Sequence, residues 1–173
     1  MEDMTSVVQC LLADDRMSAD GFANQLNDIN QLRKDIQQTM ADEAQLQLAK
    51  LSEPELHASV GIVLFQKGWH EGIVGIVASK VKEKYHLPCI VFAEAEDGVL
   101  KGSGRSISGI HLRDILDVVD KRYPGIILKF GGHAMAAGLS LKADAFDLFS
   151  TAFQAVISDL VDPACFTNSI ECD

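Results

Sequence analysis

Apolar residues recur along this chain in two rhythms, and the change from one to the other divides it. From residue 18 to residue 51 the apolar positions Leu26, Ile29, Ile36, Met40, Leu48 and Leu51 are separated by polar residues at helical intervals. That is the pattern of one amphipathic helix reaching roughly to Lys50, with Ser18 as its N-cap. A helix of about thirty residues spans about 45 Å. This exceeds the width of a small domain, so the helix is expected to join domains. Ahead of it, Val7-Val8-Gln9-Cys10-Leu11-Leu12 is a short apolar element ending in Asp14-Asp15. Ser52-Glu53-Pro54-Glu55 breaks the pattern, and Pro54 marks an expected domain boundary.

After the break the rhythm alternates between strand and helix. Ala58 to Gln66 reads as a strand, and His70 to Tyr85 as a helix with Ile73, Val74, Val77 and Val81 on its apolar face. Pro88 ends that helix, and Cys89-Ile90-Val91-Phe92-Ala93 reads as a buried strand. Strand, helix and strand in succession predict a parallel, right-handed crossover. Glu94 to Gly98 turns the chain into a strand from Val99 to Ile107, and a helix on Leu112, Ile115, Leu116 and Val119 follows. Strands at Ile126 to Phe130 and Ala137 to Leu141 come next, then a helix from Ala143 carrying Phe146, Phe149, Phe153, Val156 and Leu160. The expected fold is α/β: a mixed, largely parallel five-stranded sheet flanked by helices and preceded by a long N-terminal connecting helix. The expected division is 1–54 for the N-terminal element and connecting helix, 55–162 for the α/β domain, and 163–173 for a truncated tail.

Composition narrows the setting. The 173 residues are 47% hydrophobic and 23% charged, ordinary values for a globular chain. No apolar run is long enough to span a membrane, and Glu2 and Asp3 stand where an export signal would be basic. A cytoplasmic protein without membrane contact is expected. Cys10, Cys89, Cys165 and Cys172 form no metal-binding spacing, so neither a bound metal nor a disulfide framework is expected. The net charge of −10 runs against nucleic-acid binding until it is divided. Residues 1–58 carry four basic and eleven acidic side chains, and residues 143–173 carry six acidic and none basic. Residues 59–142 carry eleven basic against eight acidic, and that segment would draw an anion.

Three glycine-rich loops lie in that basic segment. They are Gly68-Trp69-His70-Glu71-Gly72-Ile73-Val74-Gly75, Lys101-Gly102-Ser103-Gly104-Arg105-Ser106 and Gly131-Gly132-His133-Ala134-Met135-Ala136-Ala137-Gly138. Adjacent glycines at 131 and 132 suit either a plain turn between strands or a backbone cradle for a phosphate. Arg105 is the strongest single candidate, since its planar fork pairs with phosphate and Ser103 and Ser106 add neutral donors. His133 fits a phosphate contact, a stacked base or an ordinary turn histidine. His70 is expected at a helix start, where unpaired N–H groups favour an anion. Trp69 fits either base stacking or a core anchor. No carboxylate and histidine cluster accompanies the loops, and Asp114, Asp117 and Asp120 read as a solvated helix stripe. The residues describe an anion-binding domain without a catalytic centre of its own.

The Gly131 to Gly138 stretch resembles the G-G-H-x-x-A-A-G signature of the DHH-associated domain, the substrate-binding second domain of the DHH phosphoesterases. The other two loops, and Leu26 to Lys34 in the connecting helix, are similar to motifs of the single-strand-specific DNA exonuclease branch of that superfamily. The resemblance covers about residues 1–162. It implies a role in 5′-to-3′ degradation of single-stranded DNA during repair and recombination. Hydrolysis would use Mn or Mg held by an N-terminal catalytic domain whose Asp-His-His motifs this chain lacks, so the chain alone is expected to be inactive, with no catalytic or metal residues. It implies that Ser103, Arg105, Ser106, Gly131, Gly132, His133 and His70 hold substrate. The partners implied are single-stranded DNA, that catalytic domain across a cleft, and single-strand binding protein. Two alternatives stand beside it: a phosphodiesterase for short oligonucleotides or cyclic dinucleotides, and a free-standing nucleic-acid-binding module.

Overall fold

The computed structural model describes residues 4–50 and 58–166. The boundary expected at Pro54, and most of the tail expected from residue 163, lie outside the described residues. The chain divides into two units, residues 1–39 and 40–173. In the first, α1 (Thr5–Leu11) is followed by α2 (Arg16–Leu48), which continues into the second. The cap of α2 is Asp15, three residues before the expected Ser18. Its carboxylate accepts the Ser18 N–H at 2.9 Å and the Ser18 hydroxyl at 2.7 Å, and these bonds hold its pKa below the usual carboxylate value.

The second unit holds β1 (Ile62–Phe65), α3 (Val74–Tyr85), β2 (Cys89–Glu94), β3 (Val99–Arg105), α4 (Leu112–Arg122), β4 (Ile127–Gly132), β5 (Ala136–Lys142) and α5 (Phe146–Leu160). The strands form one sheet in the order β1-β2-β3-β5-β4. It is mixed, five-stranded and flanked by helices, as expected. The expectation that it is largely parallel is corrected: only β1 and β2 pair in parallel, across the α3 crossover, and the other three pairings are antiparallel. Connection length is the reason. Residues 95–98 and 133–135 are far too short for a crossover, so they close hairpins, and β5 inserts between β3 and β4, the two strands that α4 connects.

The two faces of the sheet differ. On one, Ile90, Phe92, Leu100, Leu139 and Leu141 pack under α4 and α5, where Phe149 and Phe153 are fully buried. Each such side chain contributes about 1.5–3 kcal/mol. On the other, α3 lies against β2 and β3 through Val74, Val77, Ala78 and Val81. Cys89 is buried there, and desolvation pushes its thiol pKa far above the ordinary value. Beside α3, the end of α2 buries Met40, Ala41, Ala44 and Leu48, while Gln45 accepts from Lys84 at 3.0 Å. Helix α3 packs chiefly on β2 and β3, and farther out on this face Gly138 of β5 and Lys129 and Gly131 of β4 are exposed.

A candidate phosphate-binding face

Strand alternation sends Lys101, Ser103 and Arg105 of β3 to the α3 side of the sheet and Gly102 and Gly104 to the core. The glycines show the same division. A methyl group at Gly102 would stand 2.5 Å from Phe92, and one at Gly104 would stand 2.7 Å from Leu112. These two glycines are there to let the core close. Gly75, in the first turn of α3, makes room instead for the arginine: a methyl there would lie 2.9 Å from Arg105 Nη2 and 3.0 Å from Ser103 Oγ. Two of the three glycine-rich loops therefore meet at one point.

Arg105 is half-buried at that junction. Its Nη1 donates to Ser103 Oγ at 3.1 Å and to the Gly104 carbonyl at 2.8 Å. Among the described residues no carboxylate pairs with it. The guanidinium is thus oriented by neutral acceptors and keeps its positive charge uncompensated. Ser103, accepting from Arg105, retains its own proton to donate.

The register carries this face outward. Ser103 is opposite Gly138 on β5, and Gly138 is opposite Gly131 on β4. Directly opposed residues share a face, and strands lie about 4.8 Å apart, so the row spans about 10 Å. Neither glycine has a packing reason. A methyl at Gly131 would meet nothing within 4 Å, and one at Gly138 would find its nearest atom, the Gly102 carbonyl oxygen, at 3.9 Å. Both are exposed. The row is an open floor of backbone beside an unpaired arginine.

The remaining candidates fall out differently. Gly132 does not join Gly131 in a cradle. It is a paired strand residue with φ +147, and a methyl there would run into the Ala136 carbonyl oxygen. Its freedom closes the hairpin. His133 is exposed at the tip of that hairpin, its backbone N–H bonded to Ala136 O at 2.8 Å. Ser106 is corrected: it is buried, its hydroxyl donates to the Ile110 carbonyl at 2.8 Å, and its N–H bonds Met135 O at 3.0 Å. It pins the hairpin tip from behind and faces away from the open row. The expectation for His70 is also corrected, because α3 starts at Val74 and His70 lies in the preceding turn, where Nδ1 accepts the Gly72 N–H at 3.0 Å.

Three residues were missed. Lys101, two positions before Ser103, sits on the same face and pairs with Glu71 at 2.7 Å; period-two alternation would have found it. Ser140 and Lys129 are opposite Lys101 and each other across β5 and β4, and only the register reveals them. Trp69 is a core anchor, buried, with its indole N–H donating to Glu43 of α2 at 2.6 Å. The divalent metal implied by the resemblance finds no fit here, since among the described residues no three His, Cys, Asp or Glu groups stand together. Among the described residues no helix is long and apolar enough to cross a membrane.

A family model for the DHHA1 domain matches residues 57–159. The chain is 46% identical over its full length to the single-stranded-DNA-specific exonuclease RecJ of Escherichia coli (strain K12), of which it spans 30%. Two solved structures agree. A RecJ in complex with Mg2+ from Thermus thermophilus matches 92% of the chain at 28% identity and TM-score 0.75, over 23% of its own length. An exonuclease RecJ bound to manganese matches 96% at 26% identity and TM-score 0.79, over 39% of its length. The sheet, the open glycine row and these likenesses agree on one assignment: the chain belongs to the DHHA1 domain family, and throughout its length it is similar to one stretch of RecJ.

Proposed function

We propose that this chain is the substrate-binding part of a single-strand-specific DNA exonuclease that works 5′ to 3′ in cytoplasmic DNA repair and recombination. It holds the phosphate backbone while an N-terminal domain supplies the metal-dependent hydrolysis across a cleft. The observation that carries this reading is the row Ser103, Gly138 and Gly131. It is a strip of sheet without side-chain bulk, open to solvent, with an uncompensated arginine at one end. A phosphate placed against Ser103 would accept from its hydroxyl and from the Arg105 fork, in bonds of about 1.5–3 kcal/mol each for the charged donor. The first turn of α3 adds the positive end of its dipole. The bare glycines let a sugar-phosphate backbone lie flat on the strands. His133 at the hairpin tip serves as an outer contact, and single-strand binding protein is a further partner of the whole enzyme.

Replacing the matching stretch of the E. coli relative by this chain tests the reading. The hybrid should release nucleotides from single-stranded 5′ ends in Mn2+, and Arg105→Ala in it should raise KM about tenfold or more. Absence of release from a folded hybrid, or an unchanged KM, would remove the assignment.

A further inference from the structure

The phosphate row has a parallel neighbour. Two residues along the same strands, about 6.7 Å away, Lys101 is opposite Ser140 and Ser140 is opposite Lys129. This second row lies on the same open face. Its composition is different from that of the first row: a hydroxyl stands in the centre with a cation on either side. The two lysines stand about 10 Å apart across three strands, a span that their side chains can close around one phosphate group.

The two cations are not equivalent. Lys129 is exposed and makes no ion pair among the described residues. Lys101 is already paired with Glu71, the residue after His70 in the loop that leads into α3. Glu71 and Lys101 hold each other charged: the bond lowers the Glu71 pKa and raises that of Lys101, and Glu96 adds to the pull on the lysine. Both partners are more than half exposed, so the pair is weak and exchangeable.

Resting on the reading of the first row as a phosphate site, we infer that Lys101, Ser140 and Lys129 form a second phosphate subsite, which takes the adjacent phosphate of the same strand, with Glu71 as the resident counter-ion that the phosphate displaces. The row spacing is close to the phosphate repeat of an extended single strand. The subsite makes the face prefer two linked phosphates over one, and Glu71 weakens that preference until substrate arrives.

Titrating the chain with thymidine 5′-monophosphate and with 5′-phosphorylated thymidine dinucleotide, followed by amide NMR shifts at low salt, tests this. The dinucleotide should bind about fivefold more tightly. Lys129→Gln, on an exposed side chain that the fold does not need, should bring that ratio close to one, and Glu71→Gln should raise it. A wild-type ratio near one, or a ratio that survives Lys129→Gln, overturns the second subsite. The two readings fail separately. If Arg105→Ala weakens both probes while Lys129→Gln leaves the ratio intact, only the second subsite falls. If Arg105→Ala weakens neither, or if neither probe binds, the phosphate face itself is refuted.

Discussion

Replacing Gly75 by alanine separates stability, which should hold, from binding, which should fall. Alanine is favoured over glycine by up to about 1 kcal/mol inside a helix, and by less in a first turn such as this one. The added methyl stands 2.9 Å from Arg105 Nη2 and 3.6 Å from Arg105 Cζ, closer than a carbon and a nitrogen can rest. What yields is the far end of a flexible, half-buried side chain and not the backbone. The guanidinium swings away, giving up bonds to Ser103 and Gly104 that water replaces. The helix gain and the lost bonds nearly cancel, so the melting temperature should stay within about 3 °C of wild type. Phosphate binding has no such compensation. Losing one charge-assisted bond of about 1.5–3 kcal/mol weakens affinity about ten- to a hundredfold. Fluorescence anisotropy with a 5′-phosphorylated thymidine dodecamer, beside thermal unfolding by circular dichroism, measures both. Wild-type affinity in Gly75→Ala refutes the placement of Arg105 in the site. A loss of affinity accompanied by a fall of about 10 °C or more shows instead that Gly75 serves the fold.

Other changes probe the surroundings. Gly102→Ala puts a methyl 2.5 Å from fully buried Phe92 and should cost about 1–3 kcal/mol in chemical unfolding; Gly131→Ala, whose methyl meets nothing, should leave stability unchanged and weaken DNA binding, and equal unfolding midpoints for the two would contradict the division of glycines. Glu43→Ala leaves the buried indole N–H of Trp69 without its acceptor and should cost about 1–3 kcal/mol, whereas Glu43→Gln should recover much of it; identical losses would point to packing alone. Glu71 has a folded pKa below its ordinary 4.5, so its contribution is present above that value and is lost as pH falls through the folded one. Lys101 has a folded pKa above its ordinary 10.5, so its share is complete below 10.5 and disappears as pH rises through the folded value. The pair is therefore at full strength from about pH 5 to pH 10, and the difference in unfolding midpoint between wild type and Glu71→Gln should shrink at both ends of the pH scale; a difference constant with pH would show that the pair does not act.

Much of this protein was legible in its residues because strands and helices are local. The period-two run from Val99 to Arg105, the helical spacing of Leu112 to Val119 and the apolar block Cys89 to Ala93 each fixed an element, and three ordered glycine motifs were enough to mark the family. Helix starts were less legible. Asp15 and Ser18 are both good caps by composition, and only the geometry of their mutual hydrogen bonds shows which one holds the other. At His70 the turn bonds of residues 70–73 delay the helix by a few residues and remove its N-terminus from that histidine.

The faces were decided by the tertiary structure alone. Alternation within β3 places Lys101, Ser103 and Arg105 together, but it does not say which strand lies alongside or in what register. Insertion of β5 between β3 and β4 joins Ser103 to Gly138 and Gly131, and it brings Ser140 and Lys129, distant in sequence, beside Lys101. The same pairing divides glycines that look alike in the sequence: Gly102 and Gly104 let side chains close the core, Gly132 closes a hairpin, and Gly131 and Gly138 lie open. A glycine records only that a side chain is absent. What occupies the vacated space, a phenylalanine ring, a carbonyl oxygen, an arginine or solvent, is settled by neighbours that the chain brings in from elsewhere.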